Sequence, residues 1–206
     1  QLFYTLANLA SLFLIAYLGT LAFAAHELAI TVESVSYMPG FGIAVAATAL
    51  VGHAVGARDE VALQKAARGS MEFALLFMGI FTLIFALLPY QIAAIFTNDP
   101  DIIGLSGLLI RIAAIEQLGI ALSSVIGGIL KGAGDTRTPM VISTVYFWVY
   151  RLPLMYLFIR VFGFPITYVW LIFVSDWLLR ALTFAVVYRR KKWLKRALPE
   201  GTVDQL

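Results

Sequence analysis

Cysteine is absent from the 206 residues, which excludes disulfide cross-links and thiolate metal centres. Charge is scarce: Asp, Glu, Lys and Arg make up 13% of the chain, where a soluble domain carries about a quarter. There are two histidines, His26 and His53, at opposite ends of one apolar stretch, too far apart for joint catalysis. HExxH and nucleophile–base pairs are also missing, so an enzyme is not expected. Alternating segments of barrel length do not occur, which argues against a membrane β-barrel. A folded basic domain is lacking too, and with it the expectation of nucleic-acid binding.

What fills the chain instead is apolar. Hydrophobic residues are 61% of the sequence and the mean hydropathy is +0.90. A water-soluble domain of this length could not cover that much apolar surface, so lipid is the expected solvent. No charged n-region precedes the first apolar stretch, so no cleavable signal peptide is read. Gln1 opens inside that stretch without an initiator Met and reads as an internal point of a longer protein.

About 20 residues of helix cross a hydrocarbon core. Six such spans are expected, approximately at 2–23, 28–51, 69–88, 102–130, 139–159 and 166–188. Together they form an all-α polytopic bundle over 1–188, followed by a basic tail over 189–206. Turn residues punctuate the spans: Gly52 to Gly56, Pro89, Asn98-Asp99-Pro100, Gly132 to Asp135, and Gly163-Phe164-Pro165. Asp135 and Thr136 are placed to cap the fifth span. Eleven of the fifteen Lys and Arg residues cluster on one side: Arg58, Lys65, Arg68, Lys131, Arg137 and the six of the tail. By the positive-inside rule that side is cytoplasmic, so both ends of the segment face the cytoplasm of a multi-pass plasma (inner) membrane protein. The tail, with Trp193 inside it, reads as an anchor to anionic lipid headgroups.

Seven ionisable residues fall within spans, where each costs a few kcal/mol: Glu33, Glu72, Arg111, Glu116, Arg151, Asp176 and Arg180. Asp176 and Arg180 are four residues apart and face one side of a helix, so an ion pair is expected. Glu72 is one turn from Arg68 and pairs there or reaches the interface. Arg151, beside Pro153, reads as a structural partner. Glu116 lies about 21 Å along its helix at 1.5 Å per residue, near mid-membrane, with no basic residue one turn away. Glu33 precedes Pro39, a kink or hinge position in the second span. A carboxyl group in a partly wet cavity can exchange a proton near neutral pH, so Glu116 and Glu33 are the candidates for ion or proton coupling. The alternative for each is a salt bridge to Arg111 or Arg151. Tyr37, Met38, Tyr146 and Tyr150 (with Trp148) are candidates to line a cavity for flat cations through cation–π contact, beside the plainer reading of lipid-facing aromatics. No cofactor and no bound metal are expected.

Three ordered motifs add a resemblance. Ala24-Ala25-His26-Glu27-Leu28-Ala29-Ile30, then Met38-Pro39-Gly40-Phe41-Gly42 through Gly52-His53-Ala54-Val55-Gly56-Ala57, then Gly128 through Lys131-Gly132-Ala133-Gly134-Asp135-Thr136-Arg137-Thr138-Pro139 resemble the multidrug and toxic compound extrusion (MATE) family. The resemblance extends over the whole chain, with Arg151-Leu152-Pro153-Leu154-Met155-Tyr156 resembling a fifth helix of one bundle. It implies one half of a twelve-helix exporter, the second six-helix bundle, working against an N-terminal six-helix half. It also implies export of organic cations or amphiphilic drugs by antiport with H+ or Na+. A lipid-linked precursor flippase of the same superfamily and a truncated, non-transporting subunit are the alternatives. The family's sodium-coupled branch carries an acid in the first helix of this bundle; Tyr4 and Asn8 occupy that region here. That branch's second acid would fall near Ile120, one turn from Glu116.

Overall fold

The computed structural model describes residues 2–190 and 192–197, and every regular element among them is helical. The helices are α1 (Leu2–Ala16), α2 (Thr20–Gly56), α3 (Glu60–Leu87), α4 (Pro89–Phe96), α5 (Pro100–Gly132), α6 (Arg137–Val161), α7 (Ile166–Arg189) and α8 (Lys192–Ala197). Five of them, α2, α3, α5, α6 and α7, are long and apolar enough to cross a membrane; α1 carries a shorter apolar stretch, Thr5–Ala16. Lys191 and residues 198–206 of the basic tail lie outside the described residues. Exposed large apolar side chains such as Leu76, Leu83, Ile95 and Leu182 stud the outer surface, as lipid contact requires.

Local chemistry sets the helix ends. Asp59 accepts from Ala62 N at 2.9 Å and opens α3. Asp99 accepts from Asp101 N and Ile102 N and opens α5. Asp135 takes both Thr138 N and Thr138 Oγ1, at 3.0 and 2.7 Å, and opens α6. Each satisfies backbone donors that lack an intrahelical partner. Thr136, expected to share that work, makes no side-chain capping bond.

The break between the first two spans is not where apolar length alone puts it. The sequence reading ends the first span at Phe23, whereas the chain turns at Tyr17–Gly19, where Gly19 has φ +95°. A left-handed backbone costs glycine nothing, and this turn moves Ala24 to Glu27 from a loop into the interior of α2. α2 then runs on to Gly56, past the expected end near Val51, and α3 begins nine residues before Gly69, at Glu60. Pro89 does not only mark a turn; it occupies the first turn of α4, where its missing N–H is harmless.

α5 is the hub. Its sides pack on α2, α3, α4 and α7, and it is the most buried of the membrane-length helices. Small residues let it come close. A Cβ on Gly132 would sit 2.5 Å from Thr48 O, and one on Gly128 would run into the Ala44 carbonyl. Thr48 Oγ1 lies 2.9 Å from the Gly128 carbonyl across the same crossing. On the α7 side, a Cβ on Gly119 would come within 3.0 Å of the Trp177 backbone. Such close backbone approach is how helices associate where no water drives them together.

Two apolar clusters stack along the bundle. One gathers Ala25 to Val32 of α2, Leu109 to Ala114 of α5 and Ile166 to Phe173 of α7. The other gathers Ala44 to Ala54, Ile120 to Leu130 and Phe184 of the same three helices. Between them every one of the three helices contributes buried polar residues: Glu33 and Ser36, Glu116 and Gln117, Asp176 and Arg180. The bundle therefore has a polar layer across its middle, bounded by apolar packing on both sides.

Candidate functional site: a carboxyl-rich polar layer

A cavity of about 460 Å³ opens onto this layer. α1 contributes Ser11 and Ile15, α2 contributes His26, Glu27, Ile30, Glu33, Tyr37 and Phe41, α5 contributes Glu116 and Ile120, α6 contributes Phe147 and Arg151, and α7 contributes Phe173 and Trp177. His26, Ile30, Glu33 and Tyr37 recur at helical spacing, so one face of α2 forms a continuous wall.

Glu33 and Glu116 meet at the cavity. Glu33 is 5% exposed and Glu116 1%, and both line the same cavity. Two buried carboxyl groups facing one cavity cannot both ionise cheaply without a cation between them. Gln117 Nε2 donates to Glu33 Oε1 at 3.1 Å, and the Ser36 hydroxyl sits 2.8 Å from Gln117 Oε1. Glu116 Oε2 is buried without a hydrogen-bond partner among the described residues.

The basic partners are committed elsewhere. Arg151 Nη2 lies 2.5 Å from Asp176 Oδ2, and Arg180 Nη2 reaches both Asp176 oxygens at 3.0 and 2.7 Å. The spacing of Asp176 and Arg180 thus yields the expected pair, and Arg151 joins it from α6. Aromatic rings wall both guanidinium groups: Arg151 lies 4.6 Å from the Phe173 centroid and Arg180 4.5 Å from that of Trp177. Arg111 is exposed on the outer surface of α5, so it is not the partner of either glutamate. Glu72 pairs with Arg68 at 2.7 Å on the exposed face of α3. The layer thus holds three buried carboxyl groups against two guanidinium groups. With one proton on the glutamate pair the layer is electrically neutral; without it the layer carries one uncompensated negative charge.

The aromatic candidates divide. Tyr37 lines the cavity. Met38 is 64% exposed and turns away from it. The Tyr146 hydroxyl bonds to Thr183 Oγ1 at 2.7 Å, and the Tyr150 hydroxyl to Ser175 at 3.0 Å. Both tyrosines tie α6 to α7 and stand outside the cavity lining, where Phe147, Phe173 and Trp177 take the places foreseen for them. Pro39 lies within α2, which continues through it, next to Gly40, whose Cβ position would be 3.2 Å from Met78 Sδ. Trp193 of the tail is tucked inward, its Nε1 donating to Tyr188 O at 3.0 Å. Sequence reasoning missed Gln117, Ser36 and His26 as members of the site. The available signal was an uncharged polar residue beside, or one turn from, each intramembrane glutamate. Among the described residues no group of three or more His, Cys, Asp or Glu side chains is arranged to hold a metal ion.

Comparison with known proteins places this geometry. The model of the MatE family matches residues 1–157. The chain is 35% identical over 189 residues to a Thermotoga maritima protein named "Probable multidrug resistance protein NorM", covering 92% of this chain and 40% of that one. It is 32% identical over 167 residues to a Rhizobium meliloti protein of the same name, covering 79% and 35%. Among solved structures, a MOP superfamily transporter from Pyrococcus furiosus superposes with TM-score 0.85 at 20% identity, over 95% of this chain and 47% of that one. A MATE crystal structure in complex with MaL6 gives 0.86 at 21%, over 93% and 43%. The chain spans less than half the length of each of these relatives.

Proposed function

Because this chain belongs to the MatE family, we propose that it is the second six-helix half of a multidrug exporter, working against an N-terminal half of the same kind. In this reading the unit is a secondary active transporter, with α1 completing the six spans. The coupling ion is a proton or sodium, and the cargo is an organic cation or cationic amphiphile. The observation that carries it is the charge imbalance of the buried layer. Three carboxyl groups share two guanidinium groups, and the unmatched pair, Glu33 and Glu116, faces the cavity.

Such a pair attracts any cation that reaches it, because a buried negative charge is far costlier than a compensated one. A proton and an organic cation then compete for one compensating position, which is the elementary requirement of antiport. Tyr37, Phe147 and Trp177 supply ring faces for a flat cation beside the carboxyl groups. Alternation of access is assigned to rocking of the two halves about the cavity, with Pro39 as a hinge position. A flippase for an anionic lipid-linked precursor would call for several cationic walls; Arg151 is the one Lys or Arg among the described lining residues. The reading is tested with Glu116→Gln and Glu33→Gln in the full-length transporter. Ethidium efflux is expected to fall at least tenfold while the amount of protein in the membrane stays unchanged. Efflux at the wild-type rate by both variants would remove the pair from the mechanism.

A further inference from the structure

Arg151 has acidic neighbours on two sides: Asp176, with which it is paired, and the carboxyl groups of the cavity. It meets Asp176 through Nη2, yet its Nε and Nη2 are buried without a geometrically satisfactory hydrogen bond among the described residues. Its guanidinium lies among three rings, with centroids at 5.2, 4.6 and 5.8 Å for Phe147, Phe173 and Trp177. Toward the cavity stand Glu33 and Glu116, which line it together with Arg151. Arg180 contacts both Asp176 carboxylate oxygens, so Asp176 keeps a partner when Arg151 leaves it. The backbone beneath Arg151 is also unusual. Tyr146–Arg151 and Leu157–Val161 are π-helical, and Leu152 N bonds to Phe147 O, five residues back. Pro153 supplies no N–H for an ordinary helical bond, and π-helical turns of this kind recur at functional sites.

We propose that Arg151 is a tethered counter-ion for the cavity carboxyl groups: it moves from Asp176 to Glu33 and Glu116 when that pair gives up its proton, and returns when a proton or an organic cation takes its place. This inference rests on the reading of the pair as the coupling site. In the step, the proton leaves the Glu33–Glu116 pair for cavity water, and the positive guanidinium replaces it. The movement leaves the layer's single negative charge in place but no longer splits it into a doubly negative pair facing a positive Asp176 site, and Asp176 keeps Arg180. The titratable groups around Arg151 are His26, Glu27, Glu33 and Tyr37 from α2 and Glu116 from α5, which line the cavity with it, and Asp176 with its other partner Arg180 from α7. Without the movement a deprotonated, empty cavity would hold two adjacent carboxylates with no cation beside them, so the tethered cation lowers the cost of that state and each incoming cation has to displace it.

Trp177 reports the movement, because its ring lies beside both guanidinium groups. The full-length transporter is reconstituted in liposomes and titrated with pH. The Trp177 fluorescence is taken as the difference between the wild type and Trp177→Phe. A single sigmoidal change is expected in the wild type. Arg151→Gln and the double variant Glu33→Gln/Glu116→Gln should abolish it. Asp176→Asn, which removes the competing anion, should lower its midpoint by about one pH unit, the scale of a nearby charge on a carboxyl group. A flat wild-type signal, or one that persists in Arg151→Gln, overturns the proposal. If Arg151→Gln does not assemble, an unshifted midpoint in Asp176→Asn overturns it, and so does failure of both variants to assemble. A transition lost in the double glutamine variant while that variant still exports ethidium refutes the coupling reading instead. Lost export with a flat Trp177 signal refutes the counter-ion alone.

Discussion

Asp176 is completely buried and meets two guanidinium groups, so its environment is set by what happens to either partner. Removing one member of a buried pair leaves a charge without compensation and costs about 3–5 kcal/mol. Arg180 makes the two-oxygen contact, so Arg180→Met is expected to be the most damaging single change in the layer. Its thermal unfolding in detergent should begin well below that of the wild type, and Arg180→Lys should recover only part of the loss because an ammonium group cannot span both oxygens. Gln117 works differently. It carries no charge, but its amide joins Glu33 to Ser36, and Gln117→Leu strips a hydrogen bond from each. The expected cost is about 1–3 kcal/mol of stability. Efflux should also fall, because Glu33 loses the group that orients it. Unchanged efflux in Gln117→Leu would show that the carboxyl pair orients itself.

At the scale of helices, the crossing of α2 and α5 is set by what is missing from Gly128 and Gly132. A β-carbon at either place meets main chain of the opposite helix, and main chain cannot rotate out of the way. Gly132→Val is therefore expected to push the helices apart, lowering the yield of folded protein several-fold; Gly42→Ala, with open space at its Cβ position, should be tolerated. Gel filtration of the two variants decides this. The same helices show how far the sequence could be read. Existence and helical character of the long apolar segments were legible because lipid demands a continuous apolar run and an internally bonded backbone. The break at Tyr17–Gly19 was not, because a single left-handed glycine leaves no mark on hydropathy. Nor was α4, an eight-residue helix shorter than any hydropathy window. In the site, Asp176 and Arg180 were legible from spacing on one helix. The meeting of Glu33 with Glu116, and the choice of Asp176 over either glutamate by Arg151, depend on how α2, α5, α6 and α7 rotate against each other. That rotation is set by small-residue packing between helices.

On the scale of the whole molecule, the polar layer divides the bundle into two apolar halves, and the distribution of Lys and Arg predicts which half faces the cytoplasm. The loops after α2 and α5 carry Arg58, Lys131 and Arg137, whereas the turn before α5 carries Asp99 and Asp101. If lipid and the membrane potential sort the segment by these charges, Thr136 lies on the cytoplasmic side and Asn98 on the outer side. Both residues are exposed, and this segment has no cysteine of its own, so each position can carry a single reporter thiol. In a full-length transporter freed of any other cysteine, Asn98→Cys is expected to react with a membrane-impermeant maleimide in intact cells. Thr136→Cys should react only after the membrane is opened. Reaction of Thr136→Cys in intact cells would invert the bundle. The cavity would then meet the polar layer from the cytoplasmic face, and a proton entering from outside would have to cross the apolar packing around Ile120 to Leu130 before reaching Glu33 and Glu116. The expected orientation instead puts His26 and the shorter apolar cluster between the outer surface and the carboxyl pair, a route whose wall along α2 is already lined with polar side chains.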